Sequence, residues 1–356
     1  MGCLDRYIAW KLLQGWILIW LVVSAIFGLL TFIEELDRVT DHYQTLDALH
    51  FVLYTLPQRS MELAPVIILL GSLLALAGMN KNSEIIAIRA AGVSLARFFR
   101  SIVIPAIVLV ITLYAISEFV AAPLYQDAEV RKILVRTNKA NLLKGKGLWS
   151  NNGYSFFNVR TLKHSNAPRS IYLYEFDKTG RLLNFVYAGG ARLNESRRWN
   201  LLDVRQKSLV DNRLRSQHLD HLEMGPFWSR DELPALPLST SGMTPSGLYE
   251  YSGYLKSTQQ VSERIEQLFW QRVSLPLTAG AMVLLATPIG AGLGTTRSSA
   301  FGKSLAIGAG VGILFYLLSQ LIQTGGSIAG LPPELVAFLP VTLVVVATAI
   351  LISRIR

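Results

Sequence analysis

The sequence predicts an α-helical integral membrane protein with six transmembrane helices plus an extramembrane all-β, jelly-roll-like domain. Three observations predict it. Apolar runs occur at residues 12–33, 63–79, 101–122, 270–293, 304–323 and 334–352, three toward each end of the chain. Each is long enough, as a helix, to cross a hydrocarbon core of ~30 Å. Residues 124–267 between them are polar and read as short strands. Finally, charge concentrates where the runs are not. Residues 124–267 hold 21 Lys+Arg and 14 Asp+Glu, against 8 and 9 in residues 1–123 and 5 and 1 in residues 268–356. A soluble chain of 356 residues has no need for six such segments.

The first run has spanning length and no clear small-residue cleavage site, so it reads as a helix rather than a signal peptide. Gly2 follows Met1, but Arg6 stands where a myristoylation signal wants Ser or Thr. Cys3, the lone cysteine, leaves no intramolecular disulfide framework. Short loops set the orientation through their lysine and arginine bias. Arg6 and Lys11 precede the first helix, Lys81, Arg89, Arg97 and Arg100 follow the second, and Arg297 and Lys303 follow the fourth. Arg354 and Arg356 end the chain, whereas the 34–62 connection is rich in Asp and Glu. Both termini are therefore expected on the cytoplasmic side and residues 124–267 on the far side.

The connection after the second run, Asn80–Arg100, is the most informative segment of the first half. Ser83 is expected to cap a helix there, with Glu84 in its first turn near the positive dipole end. Ile85, Ile88, Leu95 and Phe99 recur at helical spacing, predicting one amphipathic helix over 83–97. Gly92 then falls inside it at a cost of ~1 kcal/mol relative to Ala, a cost that close packing against another chain would explain. Two readings stay open on these residues alone: a helix resting on the inner leaflet, or a helix docking into a cytoplasmic ATPase.

In the polar region, Ser170–Phe176 alternates, Asp177–Gly180 is a turn and Arg181–Ala188 returns, while Gly153–Arg160 and Trp199–Val210 supply further strands. Repeated short strands argue for a sandwich or jelly roll. Leu233–Ser246 reads as a loop and Leu248–Gln267 as helix. The basic excess suggests anionic partners such as lipid headgroups or phosphorylated glycolipids. Nucleic acid is not expected, because the basic residues are interleaved with strand-forming aromatics. His218 and His221, with Asp220 and Glu223 nearby, form a metal-like cluster, but no third His or Cys completes it. A solvated strand edge is the expected reading.

In the second half, Phe301-Gly302-Lys303-Ser304 imitates the end of a P-loop. Arg297 stands where the first Gly is needed, and no buried strand precedes it. The chain is not expected to hydrolyse ATP, and with no Gly-x-Ser-x-Gly elbow nucleophilic catalysis has no support either. No cofactor is expected. Glu34, Glu35, Arg59, Glu62, Glu118, Arg272, Gln320 and Gln323 are expected near the outer ends of helices, since a central charge costs ~3 kcal/mol on insertion scales. Collectively they suit ordinary snorkelling or the rim of a cavity. Gly308, Gly310 and Gly312, with Gly280, Ala281 and Ala286, permit close helix contacts.

Taken with the three-helix, β-domain, three-helix order, several segments resemble the lipopolysaccharide export permeases, the LptF/LptG family, and within it the G-type subunit. They are Leu4-Asp5-Arg6-Tyr7-Ile8; Ser83-Glu84 with Arg89-Ala90-Ala91-Gly92 and Ser94; Gly147-Leu148-Trp149; Ser246-Gly247-Leu248; and Tyr254-Leu255-Lys256-Ser257. The resemblance runs over essentially the whole chain. It implies a non-hydrolysing ABC-type permease subunit in the inner membrane of a Gram-negative bacterium, with residues 1–123 and 268–356 transmembrane and residues 124–267 periplasmic. The implied partners are a homologous F-type permease, a cytoplasmic ATPase dimer and a single-span periplasmic bridge protein. The implied cargo is lipopolysaccharide, taken from the outer leaflet through a lateral gate involving spans one and five.

By the same resemblance, Ser83, Glu84, Ile88, Arg89 and Gly92 belong to an ATPase-coupling helix. Arg38 matches one of two adjacent basic positions that meet substrate phosphates, and Asp37 departs from the other. Arg131, Lys132 and Arg136, where the third helix leaves the membrane, are the compensating cations. The rival readings are a permease for lipoprotein or another lipid, and a membrane scaffold for periplasmic assembly that transports nothing.

Overall fold

A computed structural model describes residues 2–40, 43–136, 148–152, 155–162, 168–177, 180–193, 199–210, 213–224, 240–257, 263–292 and 300–353. The first half opens with α1 (Cys3–Leu36), whose polar ends Asp5, Arg6, Glu34 and Glu35 continue the helix beyond the apolar run. The expected 34–62 connection is not irregular: it holds a second helix, α2 (Thr45–Glu62). Its buried residues Ala48, Phe51, Val52, Thr55, Gln58 and Met61 repeat every three or four positions. That is the stripe of an amphipathic helix, as long as α3 but too charged, with Asp47, Arg59 and Glu62, to be a span. α3 (Ala64–Lys81) follows directly.

The expected single helix over 83–97 is two helices. α4 (Glu84–Ala90) is one short helix, and α5 (Leu95–Ile116) is a new one capped by Ser94, which accepts from the Arg97 amide. Gly92 sits between them at φ 84°, in the left-handed region. The Gly92 amide donates to the Arg89 carbonyl and the Val93 amide to the Ile88 carbonyl, a Schellman end that ordinarily takes glycine. Gly92 is therefore a terminator rather than a mid-helix packing site. α5 runs on through a π-helical segment, Ser117–Ala121, into α6 (Ala122–Arg136).

The β domain is a six-stranded antiparallel sheet: β1 (Leu148–Asn152), β2 (Ser155–Leu162), β3 (Pro168–Phe176), β4 (Leu182–Leu193), β5 (Trp199–Val210) and β6 (Arg213–Met224). The strand order follows the chain, so the described strands form a meander without the crossovers of a jelly roll. One face buries Phe157, Val159, Ile171, Leu173, Val186 and Trp199. Toward one end of the strands the packing gives way to a cross-strand amide ladder, in which Asn184 donates to Glu175, Gln206 to Asn184 and Gln217 to Gln206.

After a 3₁₀ turn at Thr240–Gly242 come α7 (Pro245–Ser257), α8 (Glu263–Gly292), α9 (Ala300–Ile328) and α10 (Pro333–Ser353). The helix thus starts inside the expected 233–246 loop. Among the described residues, six helical segments are long and apolar enough to span a membrane: α1, α3, Arg97–Lys132 (α5 into α6), α8, α9 and α10.

α3 and α8 form the centre of the bundle, with Leu69, Leu73, Leu76, Ile102, Met282 and Ala286 in its core. Of the apolar windows of α3 and α8, 67% and 78% is buried, against 11% for α1 and for α9. Lipid makes such exposure tolerable, because hydrocarbon tails are as apolar as leucine. α1 crosses α3 backbone to backbone at Gly15 and Gly71, where a Cβ on Gly15 would meet the Gly71 carbonyl oxygen at 2.2 Å. Trp16 Nε1 donates to Ser72 Oγ at 2.8 Å one residue along. Gly308 and Gly312 of α9 fit against Leu73 and Val66 as expected of close contacts, whereas Gly310 faces open space.

Candidate functional site

Two clusters of polar side chains and one cavity stand out, at opposite ends of the bundle. At the end holding α4, Glu84 does not point outward. Tyr7 Oη donates to Glu84 Oε2 at 2.8 Å, Asn82 Nδ2 donates to Oε1 at 3.3 Å, and Lys11 Nζ lies 4.0 Å from Oε1. The carboxylate therefore fastens α4 to α1. Ser83, expected as the cap, sits in the left-handed region at φ 59° and makes no side-chain capping bond.

The rest of α4 divides by face. Ile85 is buried and Ile88 packs on the bundle core, while Ile86, Ala87, Arg89 and Ala90 are exposed. The outward face is thus apolar with one cation. Beside it, buried Asp5 accepts from the Gly2 amide, from Ser101 Oγ and from Arg97 Nη2, which lies 3.3 Å from Oδ2. This joins α1 to α5. Sequence reading counted Asp5 only as part of a motif; its burial depends on α5 arriving from ninety residues away.

At the other end, the cations expected to meet phosphates already have acidic partners. Arg38 Nη1 lies 2.8 Å from Glu35 Oε1, and Lys132 Nζ lies 2.6 Å from the same oxygen. Tyr43 Oη donates to the other Glu35 oxygen, and Lys132 also stacks over the Phe51 ring at 3.9 Å. Lys132 is thereby a strut between α1, α2 and α6. Arg38 and Arg131 are about half exposed; Arg131 pairs with Asp47 at 3.5 Å and reaches His50. Arg136 closes α6, and its side chain lies outside the described residues. The structure thus brings Arg38 and Lys132 together on one carboxylate and leaves Arg131 on a neighbouring one.

The expected outer-end polar residues converge. Arg59, Glu62, Arg272, Gln320 and Gln323 line one cavity of about 370 Å³ between α2, α3, α8, α9 and α10. Arg59 donates to Thr31 on α1 at 2.9 Å, and Arg272 donates to the Ser241 carbonyl at 2.7 Å. Burial pushes the Glu62 carboxyl above its ordinary range, against the pull of Arg272 and Arg59. Glu118, on the π segment, accepts from the Ser246 amide at 3.2 Å and from the Ser246 hydroxyl, anchoring the start of α7.

His218 and His221 lie on edge strand β6, three residues apart and so on opposite faces. His218 Nε2 is 3.6 Å from Asp203 Oδ1. Among the described residues no group of three His, Cys, Asp or Glu is placed to hold a metal. Arg297 lies outside the described residues, as does the Lys303 side chain, and α9 opens at Ala300 as a membrane-type helix.

The model of the lipopolysaccharide export system permease LptF/LptG family matches residues 6–354. The lipopolysaccharide export system permease protein LptG of Haemophilus influenzae is 27% identical over 359 residues, covering 100% of this chain and 99% of its own. LptG of Escherichia coli (strain K12) is 27% identical over 345 residues, covering 95% and 94%.

Proposed function

This chain belongs to the lipopolysaccharide export system permease LptF/LptG family, and on that premise we propose that it is the G-type permease half of a transporter that lifts lipopolysaccharide out of the inner membrane. In this reading the cargo leaves the outer leaflet, and the sheet domain, on the periplasmic side, hands it to a bridge toward the outer membrane. Both termini and α4 then face the cytoplasm. Full-length family membership carries the reading, and the six spans with an inserted β domain support it.

The energy comes from a separate ATPase pair. The exposed face of α4, with Ile86, Arg89 and Ala90, is the surface it meets, and Glu84 carries the resulting motion into α1 through Tyr7 and Lys11. Two states that bind the ATPase pair differently are what allow ATP to shift the equilibrium. α1 and α9, the spans with most uncovered apolar surface, form the seam with an F-type partner. A single-span bridge protein joins the same bundle.

At the far end, Arg38, Arg131, Lys132 and Arg136 are the proposed contacts for lipid phosphates. Arg38 and Arg131 are exposed enough to trade the Glu35 and Asp47 carboxylates for a phosphate, while Lys132 holds Glu35 in place. The test is purification of the tagged chain from native membranes in mild detergent, probed for an ATPase and for lipopolysaccharide. Recovery of both, with the ATPase lost in Arg89→Glu on the exposed face of α4, supports the assignment. Recovery of the ATPase with a different lipid sinks the cargo, and recovery of neither from folded material sinks the transporter.

A further inference from the structure

We propose that this chain also seats a bilayer phospholipid of its own, with an anionic head in the polar cavity and one acyl chain in the groove beside it. The groove, of about 140 Å³, is lined by Leu314, Leu318, Ile322, Leu343 and Ala347 with no charged side chain. Phe315, Ser319 and Pro340 line both spaces, so cavity and groove share a wall and form one slot with a polar and an apolar end.

The polar end holds the two guanidinium groups of Arg59 and Arg272 against the single carboxylate of Glu62, and so favours one negative charge. Arg272 spends one Nη on the Ser241 carbonyl and Arg59 one on Thr31, which orients both toward the cavity and leaves further N–H groups for a phosphate. The apolar end opens between α9 and α10, where Leu314 is 60% and Leu343 46% exposed. A groove there fills with an acyl chain, because water in it would find only Ser319 as a polar partner.

The dimensions select the occupant. A groove of 140 Å³ accepts part of one hydrocarbon chain and does not accept the several chains of the exported glycolipid. The polar end is bounded by α2, α3, α8, α9 and α10 and the apolar end by α8, α9 and α10, and Arg38, Arg131 and Lys132 line neither. A two-chain phospholipid with an anionic head matches charge, depth and volume together, its second chain remaining in the bilayer. The inference stands apart from the cargo reading and survives its failure.

The full chain with its co-purifying partners is reconstituted into phosphatidylethanolamine vesicles. These are doped with either phosphatidylglycerol or phosphatidylcholine carrying a photoreactive diazirine tail, and labelled peptides are mapped. Phosphatidylglycerol is expected to label α9 and α10 around Leu318 and Leu343 roughly tenfold more than phosphatidylcholine, the worth of one charge-assisted hydrogen bond. Leu343→Trp, or Leu314→Trp should the first fail to assemble, fills the groove and abolishes the labelling. Arg272→Gln removes the preference between the two lipids. Equal labelling by both lipids, labelling that survives the tryptophan, or displacement of the probe by purified lipopolysaccharide would each overturn the proposal.

Discussion

Tyr7 and Glu84, seventy-seven residues apart, are joined by a 2.8 Å hydrogen bond from the phenol to the carboxylate. It is the polar link between the short helix α4 and the long spanning helix α1, with Lys11 on the same carboxylate. Tyr7→Phe removes the donor while keeping the ring. The loss is about 1 kcal/mol of coupling, and the complex should assemble but transport less lipid per ATP hydrolysed. Glu84→Arg should lose the link, facing Lys11 with a like charge. The measurement is lipid release set against phosphate release in reconstituted vesicles; an unchanged ratio in Tyr7→Phe would refute the linkage.

Gly92 closes α4 at φ 84°, where an L side chain is strained by roughly 1–2 kcal/mol. No atom lies within 4 Å of a Cβ built there, so Gly92→Ala tests backbone strain without a clash. Gly92→Ala should lower ATPase association or thermal stability modestly. A substitution at Gly302, which also meets open space but has no positive φ, should do less.

Glu35 holds Lys132 in a pair whose side chains are only 3% and 10% exposed. Glu35→Ala strands that ammonium beside Phe51 and should cost about 3 kcal/mol, seen as a fall in the melting temperature of the detergent-solubilised chain. Arg38→Ala should cost far less, since Arg38 is half exposed and Glu35 keeps Lys132. Equal losses would contradict the strut assignment.

Gly71→Val places two methyl groups where a Cβ already comes within 2.8 Å of the Gly15 carbonyl oxygen. α1 must then move off α3, and overpacking of this kind costs about 1–3 kcal/mol or more. Breakage of the Trp16–Ser72 hydrogen bond should accompany it. Intrinsic tryptophan emission and protease sensitivity of α1 report the change.

Glu62, which closes α2 ahead of the second span, keeps an accessible surface, but the low-dielectric walls of the cavity it lines raise its carboxyl above the ordinary range. The native state therefore holds that proton more tightly than the unfolded chain, and its contribution to stability falls as pH rises from 4.5 through the raised value. Glu62→Gln removes this dependence. The melting temperatures of the two proteins should converge toward acid pH and separate toward neutrality, with the variant the higher. A constant difference across pH would refute the assignment to Glu62.

Six spans and a β domain were legible because each rests on local pattern: runs long enough to cross hydrocarbon, and alternation in 170–176 followed by a turn and a returning strand over 181–188. α2 escaped because charge at Asp47, Arg59 and Glu62 breaks its apolar stripe. The division of 83–97 into two helices escaped because Gly92 is compatible with both a costly interior position and a C-terminal end. The backbone dihedral alone distinguishes them. The convergence of Arg59, Glu62, Arg272 and Gln320 was readable only as a shared depth, from counting residues to the nearest basic loop.

By itself, then, the sequence determined what must lie in the membrane, how the chain divides, and which family motifs it carries. Those properties follow from segment length and side-chain polarity, which act residue by residue. The tertiary structure decided the pairings: Glu84 with Tyr7 rather than outward, Arg38 and Lys132 with Glu35 rather than free, Gly15 against Gly71. A buried charge takes whichever partner lies within a few ångströms, and that distance is set by the packing of α1 on α3, α4 and α6, which no local pattern encodes.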